Sequence, residues 1–140
     1  MTITFTVPGK PQGKGRPRAS RDGHMYTPKK TREYESLIKR CYMLQHREKF
    51  EGCVMLRITA LYPVPRSAKK SDREKMLRGL ILPKKKPDGD NIEKAVADAL
   101  NGVAYNDDRQ IVSCTWKKEY TLPEKAGLII SITEVVIHDD

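Results

Sequence analysis

The sequence predicts an α+β domain: one mixed sheet of three to four strands packed by two to three helices. Three patterns predict it. Apolar and polar residues alternate in a stretch near the start, and strand-like runs follow in the middle and twice near the end. Other stretches repeat apolar residues every three to four positions, the period of a helix packed on a core. The two kinds follow one another in mixed order within 140 residues, which is enough for one domain (1–140) with a modest core.

Residues 2–7 (TITFTV) alternate Ile3, Phe5 and Val7 with threonines and read as a half-buried strand. The next stretch, PGKPQGKGRPRASRDG, has glycines, prolines and basic residues but no apolar period. It reads as a loop whose glycines admit a close ligand and whose arginines reach phosphates. From Thr31 to about Arg47, Tyr34, Leu37, Ile38, Cys41 and Tyr42 recur at helical spacing, with Thr31 as N-cap. Residues 53–62 (CVMLRITALY) read as a long strand ended by Pro63 and Pro65. Ser71 and Glu74 have capping-box spacing and open a short helix through Leu77. The third helix spans 90–101 and ends at Asn101-Gly102. Residues 110–120 and 127–137 read as two strands, a hairpin joined by LPEKAG.

Charge is distributed unevenly. Residues 1–50 carry 12 basic and 4 acidic side chains, 51–87 carry 10 and 3, and 88–140 carry 5 and 11. The net charge is +9. A chain basic to residue 87 and acidic beyond it suggests a polyanion-binding surface beside a separate acidic site. Lys10, Lys14, Arg16 and Arg18 in the first loop, Lys69 and Lys70 before the short helix, and Lys84, Lys85 and Lys86 are the candidate nucleic-acid contacts.

Other classes are disfavoured. No run approaches the roughly 20 apolar residues of a membrane span, and the N-terminus lacks the pattern of a secretion signal. Cys41, Cys53 and Cys114 are odd in number, widely spaced and without histidines at ligand spacing. They read as reduced, packed thiols of a cytoplasmic protein, not as a zinc site. His24, His46 and His138 read as ordinary surface residues, with no partner for nucleophilic catalysis.

The acids around the third helix carry the chemistry. Ile92, Ala95, Val96, Ala99 and Val103 form its buried stripe, which puts Asp90, Lys94 and Asp98 on the opposite face. Asp88 and Asp90 precede the helix, and Asp107 and Asp108 follow it after a short link. One reading is structural: an exposed Asp-Lys-Asp ladder, with Asp88 or Asp90 as an N-cap. The other is a site for a hard divalent cation such as Mg²⁺ held against phosphates, with Lys94 beside it to hold a phosphate or orient water. Phosphodiester hydrolysis suits the second set.

The run KPDGDNIEKAVADALNGVAYNDDRQI resembles the signature of the RusA family of Holliday junction resolvases, endodeoxyribonucleases of bacteria and their prophages. Its K-P-D-x-D-N-x-x-K-x-x-x-D-A-L-N-G pattern, with an Asp-Asp pair before Gln and an aliphatic residue, is present here. GKPQGKGRPR, Y-T-P and PRSAKKSDREKMLRG also resemble family segments. The resemblance implies metal-holding, catalytic carboxylates at Asp88, Asp90 and Asp108, and a catalytic lysine at Lys94. Asp98 and Asp107 are supporting, and Asn91 either positions a ligand or caps the helix. Gly89 departs from many relatives, which carry a bulkier residue there, and adds backbone freedom. The resemblance further implies a Mg²⁺-dependent homodimer that resolves four-way junctions by paired nicks. The rival expectations are a non-catalytic DNA- or RNA-binding module and a metal nuclease acting on other branched nucleic acids.

Overall fold

The computed structural model describes residues 1–137, so His138 lies outside the described residues. Its sheet is organised around the most thoroughly buried strand. In β4 (Val54–Pro63) the side chains of Val54, Leu56, Ile58, Ala60 and Tyr62 all face the core. A strand with so continuous an apolar face gains most from a neighbour on each side. β6 (Gly127–Glu134) pairs with it antiparallel on one side, with Ile58 opposite Ile130. β5 (Ile111–Thr121) pairs with it in parallel on the other, with Ile58 opposite Trp116. β1 (Thr2–Pro8) completes the sheet against β6, Phe5 opposite Ile130, giving the order β1-β6-β4-β5.

This order corrects the expected terminal hairpin. β5 and β6 are not neighbours; β4 lies between them. The link at 122–126 passes over the end of β4, where Val64 N–H donates to Thr121 O at 3.0 Å. Spanning one strand takes only about 10 Å, so five linking residues suffice. Most of β5 is half-buried or exposed, as suits an edge, while Leu128, Ile130 and Ile132 are buried as an interior strand requires.

Helices α1 (Lys29–Gln45) and α3 (Gly89–Ala99) pack on each other and on one face of the sheet. Tyr34, Ile38, Cys41 and Tyr42 of α1 meet Ile92, Ala95, Val96 and Ala99 of α3 in one core with the sheet. The expected stripe of α3 is borne out, with Val103 packed at its edge. The outer sheet face carries hydroxyls in cross-strand pairs, Thr2 with Thr133 and Thr4 with Ser131.

Local signals fared less evenly. Thr31 does not cap α1: the helix starts two residues earlier, after Pro28, and Thr31 is buried inside it. Its hydroxyl is used by the preceding loop instead, accepting from Gly15 N–H at 2.9 Å. Helix α2 (Lys70–Leu77) follows Lys69 with no side-chain cap, so the Ser71–Glu74 box does not form; Ser71 already lies within the helix. α3 ends at Ala99, and Gly102, at φ 82, makes the turn beyond it that a side chain would strain. The loop after β1 contains an unexpected ribbon, β2 (Arg18–Ala19) with β3 (Met25–Tyr26). All three cysteines are free, but Cys53 is exposed instead of packed. Among the described residues no helix is long and apolar enough to cross a membrane.

Candidate metal and nucleic-acid site

The approach to α3 is a basic strap fastened to the ends of β4 and β5. Tyr62 hydroxyl donates to Pro87 O at 3.0 Å, and Lys118 Nζ donates to Lys85 O at 2.6 Å. The Lys118 ammonium lies 5.3 Å from the centre of the Tyr62 ring, and that of Lys85 lies 5.6 Å from the Tyr120 ring. These contacts deliver Asp88 to the N-cap of α3 in extended backbone. Its carboxylate caps nothing. Burial, helped by the negative charge of Asp88, pushes the Tyr62 hydroxyl up to about 12.

Gly89 is where the sequence reading and the structure part company. It is buried, and a Cβ there would overlap the Trp116 indole, which lies across the first turn of α3. Glycine serves close approach at this point, not backbone freedom. Asp90 follows in the first turn and is exposed. The positive end of the helix dipole favours carboxylates at both 88 and 90.

Asp90, Lys94 and Asp98 do line one face, but the ladder between them does not form. Asp98 instead meets the ammonium of Lys14 at 3.0 Å, and Glu35 of α1 holds the same ammonium at 2.9 Å. Among the described residues Asp88, Asp90 and Lys94 form no ion pair. The backbone of the Lys14 loop is fixed too: Lys14 N–H donates to Asn91 O at 2.9 Å. A Cβ on Gly13 would come within 2.8 Å of Pro87 and 2.9 Å of Asn91, so only glycine fits there without displacing them. Burial opposes the Lys14 charge, yet the bonds to Glu35 and Asp98 outweigh it and hold its pKa above the ordinary value.

The second acidic pair lies toward the other end of α3. Asp107 caps a short 3-10 turn, accepting from Arg109 N–H at 2.8 Å, while the Gln110 side chain returns to Asp107 N–H at 3.2 Å. That backbone bond holds the Asp107 carboxyl below its usual range. Asp108 is pushed above it, by burial first, then by Asp107 and Asp98. Asp98 lies eight residues beyond Asp90, about 12 Å along a helix rising 1.5 Å per residue. Asp108 lies near enough to Asp98 to feel its charge. Among the described residues no three His, Cys, Asp or Glu side chains converge as a metal cage.

Comparison with known proteins decides the family. The family model described as "Endodeoxyribonuclease RusA" matches residues 8–133. The chain belongs to the RusA endodeoxyribonuclease family. It is also 38% identical over 140 residues to the uncharacterized protein YqaN of Bacillus subtilis (strain 168), covering 95% of this chain and 96% of that one. RusA membership indicates a nuclease that cuts within DNA and acts on branched junctions.

Within this RusA chain the basic residues fall into different settings. Lys10, Arg16, Arg18, Lys69, Lys70, Lys84, Lys85 and Lys86 are exposed, whereas Lys14 is turned inward. Glu35 was not foreseen: it is one of two acids, with Glu33, in a largely basic helix, and its partner lies 21 positions away. Lys30 and Arg40 were likewise unremarkable until α1 brought them beside the strap.

Proposed function

We propose that the whole chain, 1–140, is a Mg²⁺-dependent endonuclease that resolves four-way DNA junctions by paired nicks. One observation carries the reading. Asp88 and Asp90 stand uncapped and unpaired at the positive end of α3, between three strap lysines and Lys94. The ordinary uses of such acids, a cap or an ion pair, are both absent among the described residues.

The donor set fits the ion. Mg²⁺ usually keeps several waters and is held by one or two carboxylates plus substrate phosphates. Asp88 and Asp90 would be those carboxylates, with Asp108 as the third. When bound, the ion supplies an activated water and neutralises charge on the phosphate. Lys94, one turn beyond Asp90, stabilises the charge that develops there. The exposed lysines and arginines hold the flanking phosphates. A homodimer matches a nearly two-fold substrate that needs two cuts.

A synthetic four-way junction incubated with protein and Mg²⁺ should receive symmetric nicks on opposed strands. Linear duplex and single strand should be cut poorly, and a chelator should stop all cutting. Binding without any nick, with Mg²⁺ present, would leave a nucleic-acid-binding module in place of a nuclease.

A further inference from the structure

We propose that the groove beside Asp88 binds the phosphates of the same DNA strand that is presented to the carboxylates, a reading that rests on the nuclease assignment. The groove measures about 990 Å³ and lies between the loop after β1, one face of α1 and the strap before α3. Lys10 of the loop, Lys30 and Arg40 of α1, and Lys86 of the strap all line it. Positions 30, 33, 34, 37 and 40 share that face because residues three and four apart stack along a helix.

Four exposed cations around one concavity repel one another. Among the described residues none of them has an ion-pair partner. Glu33, the only acid in the lining among the described residues, is already drawn toward Lys29 at 3.8 Å. Such a cluster is relieved by a polyanion. Leu37 and Pro87, both half-buried, supply apolar surface between the charges, suited to deoxyribose. Position selects the strand: Lys86 and Pro87 directly precede Asp88, so a phosphate held at Asp88 and Asp90 sends its neighbours toward this groove.

Junction binding is measured as a function of salt in the presence of a chelator, so no strand is cut. Lys30→Gln with Arg40→Gln should lower the log–log slope by about 1.4 to 1.8, two lost contacts at about 0.7–0.9 each. Neutralising Arg57, on the uncovered sheet face, and Lys125, in the β5–β6 link, should leave the slope unchanged. Uncharged methylphosphonate linkages next to the cut should lower the wild-type slope and have a smaller effect in the double variant, where only Lys10 and Lys86 remain. An unchanged slope in the double variant, or an equal loss in the control pair, overturns the proposal. Fully additive losses also overturn it, because they put the groove on a different strand. Junction cleavage with an unchanged slope rejects the groove alone. A lowered slope with no Mg²⁺-dependent cleavage keeps the groove and rejects the nuclease.

Discussion

Replacing Lys14 by methionine removes the ammonium that separates two carboxylates while keeping most of the side chain's bulk. Lys14 is 22% exposed, and its partners Glu35 and Asp98 are 19% and 37% exposed. An exposed ion pair contributes at most about 1 kcal/mol, and breaking a fully buried one costs about 3–5 kcal/mol. This site lies between those limits, and a loss of about 2 kcal/mol follows, because two carboxylates are left facing each other. With an unfolding entropy of roughly 2.1 cal/mol/K per residue, that corresponds to a Tm lower by about 7 °C.

Calorimetry on Lys14→Met, Glu35→Gln and the double variant checks the origin of that loss. The double variant should recover part of it, since removing one carboxylate relieves the repulsion. The pH dependence has a fixed sign. The folded pKa of Lys14 is raised, so its contribution is complete below the ordinary value of 10.5 and fades as pH climbs through the folded value. The deficit of Lys14→Met should therefore be constant from neutral pH up to the ordinary value of 10.5 and shrink as pH climbs beyond it. A Tm within about 2 °C of wild type, or a double variant that simply adds the two losses, would show that the contact stabilises nothing.

Asp88→Asn and Asp90→Asn should each abolish cleavage while leaving junction binding intact and lowering stability by no more than about 1 kcal/mol, the lost attraction to the helix dipole, because neither carboxylate caps the helix or pairs with a cation; near-normal cutting by either variant would remove it from the metal site. Lys94→Ala should lose most of the turnover with no change in Tm, since this lysine is exposed and unpaired among the described residues; normal turnover would reduce it to surface charge. Gly89→Ala should destabilise the protein in thermal unfolding by displacing the Trp116 indole, yet in a Trp116→Ala background it should be neutral or stabilising by about 0.5–1 kcal/mol, the helix preference for alanine; a loss in both backgrounds would exclude the indole as the cause. A thiol reagent at neutral pH should label one cysteine per native chain, the exposed Cys53, because burial raises Cys41 and pushes Cys114 up to about 12; rapid labelling of two or three would contradict the burial of the others.

What was legible in the sequence follows the range of the interactions. Periodicity is local, so Ile92, Ala95, Val96 and Ala99 identified the buried face of α3, and the threonine alternation identified β1. Strand order is not local. LPEKAG reads as a hairpin from its own residues, and only the deeper burial of β4 explains why that strand comes between β5 and β6. The caps failed for a related reason. Thr31 has the right chemistry for an N-cap, but a loop 16 residues earlier claims its hydroxyl through Gly15.

The acids at the site divide along the same line. Their residue types and spacing around α3 marked the chemistry, yet spacing treated Asp90, Lys94 and Asp98 as one ladder. The fold separates them by giving Asp98 a different cation. Lys14, bonded through its main chain to Asn91 and through its ammonium to Asp98, ties the glycine-rich loop to both ends of the helix that carries Asp90. Lys94 is thereby left without a claim from Asp98 one turn on, and it forms no ion pair with Asp90 one turn back among the described residues. A lysine in that position is free to meet a phosphate, which a lysine locked in a surface ladder is not.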